Sequence, residues 1–581
     1  MKEDEDKASN VLWVYPNYNA KWCNAIIKEF NIHPVTAQVL VSRGFSNFEE
    51  IYNYLYAKLP HLHSPDLLID MDKAVNRIIQ AMKKKEVVLI YGDNDVDGIT
   101  GTALLVELFR QIGLEVYYYI PHRTFSNLSM VADVIGYAEQ KHCTLLITVD
   151  CGINTTEELD RINENKIDVI ISDHHEPTHA FVHCVANLNP KLSNSSYPNR
   201  ELTGVGVAFK LAHSLINHLV SEGKIGATTI DLKKCLDLVA LGTIADMGAL
   251  VGENRILVRY GLKQFSNTKR VGLVKLMEIC NISPAMVNPT NIASKIAPRL
   301  NSLGRIANPL KGVKLMLTDS VEEAYQLAYE LEKNNAHRKQ IERGNIHDVE
   351  TLICNCSQLF EDKALVLCST KWHPGIIPLI AARISKQYNR PTVIIAIDGG
   401  VGKGSIRTIP EFPLLSVLQD NAKFFIKFGG HNCAAGFEIK EGEIPEFKKS
   451  FISTANRTLY NVDIVPKLYL DSRVKFEELT FEFLDSLQLL EPHGTGNPSP
   501  MLYSDVTQTW IPKVFGKMHL KLYLEQNDRA LEGIGFGMSQ QRHMLAKKNI
   551  KLQIAFTPYI NVFLNKSSIQ LFIKGIKKQI D

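Results

Sequence analysis

The 581-residue chain is predicted to be α/β: a parallel-sheet α/β domain, a long helix leading to a second α/β unit, and a small C-terminal β-barrel. Three observations predict this. Apolar runs alternate with helical patterns between about 70 and 260, and strands joined by helical crossovers form a parallel sheet covered on both faces. Val321 to Glu350 is polar with apolar residues at helical intervals, as in one long linking helix. Beyond about 460, short stretches such as His519-Leu520-Lys521-Leu522-Tyr523-Leu524 alternate polar and apolar, the period of barrel strands.

The elements follow in order. Residues 1 to about 65, with Trp13 and Trp22, read as a helical leader that packs on the next domain. Val87-Val88-Leu89-Ile90 is a buried strand, Ile99 to Ile112 a helix, and Leu114 to Ile120 a second strand. Val131 to Lys141 is a helix before the strand Leu145 to Val149, and Thr155 to Asn165 a helix before the strand Val169 to Ser172. Val185 to Leu188 is a fifth short strand. Asp231 to Asp246 is apolar at helical spacing. In the second unit Ala364 to Leu367 and Thr392 to Ile397 are strands, amid glycines at 399, 400, 402, 404, 429, 430 and 436.

Composition bounds the class. Hydrophobic content of 45% and charged content of 22% are those of a soluble globular protein. A net charge of +3 diagnoses no partner, so a nucleic-acid surface would have to be a local groove. The ten cysteines are scattered, without C-x-x-C spacing, as thiols in a reducing compartment. Met1 to Lys7 is charged and lacks an apolar signal core, and no stretch of about 18 apolar residues occurs. The expectation is a cytoplasmic protein that does not span a membrane.

The chemistry concentrates where strands end. The first buried strand leads through Tyr91-Gly92 into Asp93, Asp95 and Asp97; the third ends on Asp150; the fourth ends on Asp173-His174-His175. Ligands of open α/β sheets bind at the carboxyl ends of the strands. Each feature alone has a plain reading: a helix cap for Asp93 to Asp97 or for Asp150, a structural pair for the histidines. A calcium loop is excluded by the lack of a closing Glu at its twelfth position. Together, converging carboxylates repel each other unless cations sit between them, and carboxylate with imidazole suits manganese- or magnesium-like ions.

Asp93-Asn94-Asp95-Val96-Asp97-Gly98, Asp150, Asp173-His174-His175 and Gly242-Thr243-Ile244-Ala245-Asp246 resemble the four motifs of the DHH phosphoesterase superfamily. Gly204 to Lys210, Pro298 to Arg305, Trp372 to Gly375, Gly404 to Arg407, Gly429-Gly430-His431 and Pro492 to Pro498 are similar to stretches of the RecJ family within it, single-strand-specific 5′→3′ DNA exonucleases of bacteria. The resemblance implies an N-terminal leader (1–65), a parallel-sheet DHH domain (66–265), a helical connector (266–355), a DHH-associated α/β domain (356–460) and an OB-like nucleic-acid-binding barrel (461–581). It implies a recombination and repair enzyme acting on single-stranded DNA, as a monomer, with a helicase and a single-strand-binding protein as partners.

By the same resemblance, Asp93, Asp95, Asp97, Asp150, His174 and Asp246 would hold two divalent ions, Mn²⁺ or Mg²⁺, with Asp97 and Asp150 bridging. Asp97, Asp150, His174, His175 and His431 would form the catalytic set, hydrolysing a phosphodiester with water and no covalent nucleophile. Arg123, Arg299, Asn301, Arg305, Ser405, Arg407, Gly429, Gly430 and His431 would line the DNA path, with Ser405 and Arg407 suited to a terminal 5′-phosphate. Lys517 and Lys521, beside Lys513, His519 and Tyr523, fit a groove for single strands or an ordinary solvated face. The chain departs from the family where Ser126 to Met130 replaces a Gly-Tyr-Gly segment, where Asn94 replaces a tyrosine, and around Thr557 to Asn561. Two other readings are a DHH phosphodiesterase for short RNA or cyclic dinucleotides, and a non-catalytic Cdc45-like scaffold.

Overall fold

The computed structural model describes residues 11–121, 130–177, 183–355, 361–462, 464–563 and 566–579. They form two compact units, one of Leu59–Ile464 and one of Met1–Lys58 with Val465–Asp581.

In the larger unit, strands β1 (Val87–Gly92), β2 (Glu115–Tyr119), β3 (Cys143–Val149), β4 (Asp168–Ser172) and β5 (Ala186–Leu188) form an all-parallel sheet in the order β2-β1-β3-β4-β5. Their side chains alternate between two cores. Val88, Ile90, Leu145, Ile147 and Ile170 pack with helices α1 (Val96–Gln111), α2 (Gly204–Ser221) and α3 (Leu236–Ala245). Leu89, Leu146, Val169 and Ile171 pack with Val134, Ala138, Leu159 and Ile162 from the helices Met130–Gln140 and Thr156–Glu164. Burial on both faces is why these strands are continuously apolar. The chain order reverses at β1, so a crevice opens between the carboxyl ends of β1 and β3.

A connector carrying α4 (Ala297–Ile306) leads to α5 (Val321–Cys354), which the Ser320 side chain caps by accepting from the Glu323 N–H. α5 buries Ala324, Leu327, Ala328 and Leu331 in the first domain's core, and Ile346, Val349 and Ile353 in the second domain's core. One helix thus splints two domains. The second sheet, β6 (Leu365–Ser369), β7 (Thr392–Asp398), β8 (Val401–Arg407), β9 (Phe425–His431) and β10 (Ala434–Lys440), has the order β9-β10-β8-β7-β6. Only β6 and β7 are parallel; Gly399 and Gly400, both at positive φ, make the two-residue turn that reverses β7 into β8.

In the smaller unit, β11 (Leu502–Gln508), β12 (His519–Gln526), β13 (Arg529–Gly535), β14 (Ile550–Phe563) and β15 (Lys566–Lys578) close into a five-stranded ring: β11 pairs with β14, β14 with β15, β15 with β13, β13 with β12, and β12 with β11. Closure of this kind is the OB-like barrel the alternation anticipates. The N-terminal helices differ from expectation. Ile26, Leu40, Ile51 and Leu55 share one core with Leu502, Leu522, Leu552 and Leu571, so the leader packs on the barrel farthest from it in sequence.

A buried ion pair braces α2. Lys210 Nζ donates to Glu253 Oε1 at 2.5 Å and to the His63 carbonyl at 2.8 Å, while Tyr197 Oη–H and the His63 N–H donate to the same carboxylate, each at 2.7 Å. Removing one partner strands a buried charge, so Glu253→Ala should cost roughly 3–5 kcal/mol in denaturant unfolding of the full chain, and the double change Lys210→Met with Glu253→Leu should recover much of it.

Candidate metal centre at the sheet switch point

Each strand-end acid is fixed by a backbone bond to the neighbouring strand. The Asp93 N–H donates to the Val149 carbonyl at 3.1 Å, that of Asp150 to Ser172 at 2.9 Å, and that of Asp173 to Leu188 at 3.1 Å. Asp150 takes φ +63°, a left-handed turn tolerated by Asp, which swings its side chain into the crevice end of β3. Asp95 caps α1, its Oδ1 accepting from the N–H groups of Asp97 at 2.9 Å and Gly98 at 3.2 Å. The capping reading of this loop is therefore realised.

Asp97 is fully buried, and the N-terminus of α2 holds it: Oδ2 accepts from the Gly204 N–H at 2.6 Å and Oδ1 from the Val205 N–H at 2.9 Å. A helix start stabilises an anion there through its free amides and dipole. Gly204 is required for this approach, since a Cβ would lie 2.6 Å from Asp150 Oδ1; at Gly242 it would lie 2.8 Å from Asp97 Oδ1. The Gly-x-Gly start of α2 is the signal in the sequence for this contact. Asp246 enters as the C-cap of α3.

His174 Nε2 lies 3.0 Å from Asp150 Oδ1, 3.7 Å from Asp246 Oδ2 and 4.0 Å from Asp97 Oδ2. Neither His174 Nε2 nor Asp150 Oδ1 has a hydrogen-bond partner, although both are buried. Ligand atoms at the edge of an octahedron around a small dication at about 2.1 Å are about 3.0 Å apart, so orphaned atoms at this spacing fit a metal. The groups Asp150-His174-His175, Asp97-His174-Asp246 and Asp93-Asp95-Asp150 each bring three donor atoms within 4.8 Å of one another.

Electrostatics agree. Burial, then Asp246 and Asp95, pushes the Asp97 carboxyl well above its ordinary range. Burial, then Asp97 and the other acids, does the same to Asp150. Burial and Asp95 push Asp246 up to about 7. Burial, then His175, brings His174 down to about 3, leaving a neutral imidazole with a free lone pair. Divalent cations would reverse the carboxylate shifts. His175 differs: burial opposes its charge, but Asp173 at 2.7 Å from Nδ1 outweighs burial and raises it to about 9. Asp173, despite burial, is held at about 2 chiefly by that bond. Asp173 also accepts from the N–H groups of Ile153, His174 and His175, so it anchors the motif rather than facing the crevice.

The second sheet supplies an opposite wall within the same unit. His431 on β9 stacks over His175, ring centres 5.6 Å apart and planes 18° from parallel. Arg407 on β8 donates to Ser405 Oγ at 3.2 Å and to the Ile406 carbonyl at 2.8 Å, and burial alone lowers its pKa. Ser405, Arg407, Gly429, Gly430 and His431 thus sit on one small sheet. A Cβ at Gly430 would lie 2.5 Å from the Ala434 carbonyl oxygen.

Other expected DNA contacts are engaged elsewhere. Arg299 pairs with Glu332 on α5 and donates to the Lys295 carbonyl at 2.5 Å. Asn301 braces the acidic loop, its Oδ1 accepting from the Val96 N–H at 3.2 Å. Gly304 packs beneath the same loop, where a Cβ would lie 3.0 Å from Asn94 Oδ1. Arg305 donates to the Gly375 carbonyl at 3.0 Å, tying α4 to the second domain. On the barrel, Lys517 lies in an exposed turn at φ +66°, while Lys521 pairs with Glu532 at 2.7 Å beside the Tyr523 ring. Arg123, with residues 126–129 of the departing segment, lies outside the described residues.

A switch-point crevice lined by these acids and an imidazole, faced by a second α/β domain, defines a metal-dependent phosphoesterase of the DHH type. Family models match at residues 87–243 (DHH family, N-terminal domain), 361–457 (DHHA1 domain) and 470–575 (RecJ OB domain). The single-stranded-DNA-specific exonuclease RecJ of Bacillus subtilis is 30% identical over 98% of this chain and 71% of its own length. That of Haemophilus influenzae is 31% identical over 94% and 96%. The crystal structure of RecJ from Thermus thermophilus in complex with Mn²⁺ has a TM-score of 0.83 at 27% identity, covering 98% of this chain and 80% of that one. The chain belongs to the RecJ family. Among the described residues, no helix is long and apolar enough to cross a membrane.

Metal affinity should follow Asp246. Its carboxyl, at about 7 without metal, must lose a proton to bind. Calorimetric Mn²⁺ affinity should therefore rise with pH through about 7, and Asp246→Asn should remove part of the rise, the remainder belonging to Asp97 and Asp150. Without metal the sign reverses for folding. The folded acid binds its proton more tightly than the unfolded one, so this group costs stability as pH rises from about 4 towards 7, and Asp246→Asn should raise the melting temperature of the chelated protein at pH 8.

Proposed function

We propose that this protein is a single-stranded-DNA-specific 5′→3′ exonuclease that hydrolyses phosphodiesters with two Mn²⁺ or Mg²⁺ ions held by Asp93, Asp95, Asp97, Asp150, His174 and Asp246. The observation that carries this reading is the stacking of His431 on His175, which turns the Ser405–Arg407 face of the second sheet onto the acid cluster. The relatives reported above are named as such exonucleases, and one was crystallised with Mn²⁺.

The ions supply charge neutralisation at the scissile phosphate and activation of water. The chain's residues do the rest. Asp97, clamped by the α2 amides, and Asp150 hold the centre of the cluster, and neutral His174 completes it. His175, kept protonated by Asp173, presents positive charge at the crevice mouth. His431 is exposed and can donate to a phosphate oxygen. Arg407 and Ser405 would take the terminal 5′-phosphate, a bidentate cation with a hydroxyl. β10 separates β8 from β9, and Ala434 pairs with both Arg407 and His431, so the two phosphate contacts stand about 10 Å apart, two strand spacings. That is room for one nucleotide between the two phosphate contacts.

The barrel would hold the single strand. Besides Lys517, the expected His519 belongs to an aromatic cluster whose phenylalanines the sequence reading missed: it lies 5.3 Å from the exposed Phe515 and 5.0 Å from the exposed Phe536, Phe572 lies 5.2 Å from Phe536, and Lys574 Nζ sits 3.7 Å over the Phe572 ring. Rings beside lysines are stacking platforms for bases. We further infer action in the cytoplasm as a monomer, in recombination and repair, with strands supplied by a helicase and covered by a single-strand-binding protein.

Oligonucleotides labelled at either end test this. Nucleotides should leave from the 5′ end with Mn²⁺ or Mg²⁺ and not with chelator, and Asp150→Ala should abolish release while binding persists. Gly204→Ala should lower the rate about 10–100-fold, as expected for a group that orients a ligand. Arg407→Ala should erase any advantage of a 5′-phosphate over a 5′-hydroxyl. Release from the 3′ end would overturn the polarity.

A further inference from the structure

The face of the second sheet that carries His431 also bears a hollow to which the reading above gives no task. Its side chains come in three cross-strand rows. Arg407, Ala434 and His431 form the first, Ser405, Gly436 and Gly429 the second, and Lys403, Glu438 and Lys427 the third. The opposite face buries Ile406, Ala435, Phe437 and Ile439 in the domain core. The hollow, ≈ 270 Å³, is lined by Gly436 and Gly429 of the second row, by the third row, and by Phe428 and Phe437. That is just below the roughly 300–1,000 Å³ of pockets enclosing whole ligands, and suits one flat ring lying on a floor.

The floor is bare where packing does not require it. Gly402 and Gly430 are demanded by the fold, since a Cβ would lie 2.8 Å from the Ile395 side chain and 2.5 Å from the Ala434 carbonyl oxygen respectively. At Gly429 a Cβ would meet nothing within 4 Å, and at Gly436 its nearest neighbour would be 3.8 Å away. Both are ladder-paired, and neither has a positive φ. Glycine weakens a strand, and an otherwise unneeded one marks close approach of a ligand.

The rows say which part of a ligand comes here. A nucleotide with its 5′-phosphate at Ser405 and Arg407, and its other phosphate at His431, has its sugar over Ala434. Its base then points along the strands onto Gly436 and Gly429. About 7 Å from the first row to the second, and the same again to the third, brings the far edge of the ring to Glu438. Glu438 Oε1 lies 3.2 Å from Lys427 Nζ, and Lys403 stands opposite Glu438 in the ladder on its other side. Guanine and thymine present a ring N–H beside a carbonyl oxygen: the carboxylate can accept from the N–H while a flanking ammonium donates to the carbonyl. Adenine and cytosine present a ring acceptor at that place, which the carboxylate repels. Guanine adds its amino group as a second donor.

We propose that this hollow is the base pocket of the 5′-terminal nucleotide, where Glu438, flanked by Lys403 and Lys427, favours a keto base and guanine above all; the proposal rests on the 5′→3′ exonuclease reading. The test uses the full-length protein with Mn²⁺ and 5′-phosphorylated single strands identical except for the first nucleotide, which is dG, dA or an abasic sugar. Release of dG should exceed that of dA by about fivefold or more in kcat/KM. Glu438→Gln should bring the ratio towards one. Gly436→Val, whose Cβ would come no nearer than 3.8 Å to a neighbour, should slow both base-bearing ends and narrow their gap to the abasic end. Equal release of dG and dA by the unsubstituted protein, or a ratio that neither variant moves, overturns the pocket and leaves the exonuclease reading standing. Absence of hydrolysis from every 5′ end overturns that reading and the pocket with it.

Discussion

Five carboxylates cannot share a buried crevice as anions, and much of the larger unit serves to make them do so. The backbone of three neighbouring strands fixes Asp93, Asp150 and Asp173 in place, and the start of α2 clamps both oxygens of Asp97. Glycines at 204 and 242 let that clamp close. Without cations the result is strained electrostatics, with Asp97, Asp150 and Asp246 driven towards protonation by burial and by one another. The fold holds its acids in place for an ion that they need.

The second constraint is mechanical. A cleft between two domains works only if its walls keep their spacing, and two helices set it. α5 puts one half of its length into each domain's core. α4 touches the acidic loop through Asn301 and Gly304, and the second domain through Arg305. The stretch Pro298 to Arg305 thus acts through position, holding the loop that carries Asp93 to Asp97 at a fixed distance from the sheet that carries Arg407 and His431.

The sequence disclosed what is local. Apolar runs abutting acids gave the strands and the crevice, because strand-end residues are neighbours in sequence before they are neighbours in space. Period-two alternation gave the barrel, and helical spacing gave α5 to within a turn of its observed end at Cys354. Partners distant in sequence were not legible. Neither the Glu332 that pairs with Arg299 nor the Glu532 that pairs with Lys521 could be read from the sequence. The leader's packing on the barrel joins Ile26 to residues beyond 500, which no periodicity records. Gly436 looked like any other glycine; only the space above it sets it apart.

The central claim is that ions and a 5′ end meet in one crevice between these two walls. The most direct measurement is a crystal structure of the full chain with Mn²⁺ and a 5′-phosphorylated single strand carrying a non-hydrolysable first linkage, with the ions located by anomalous scattering. The account requires two manganese peaks among Asp97, Asp150, His174 and Asp246, and the terminal phosphate on Arg407. Manganese elsewhere, or a 3′ end in the crevice, would contradict it.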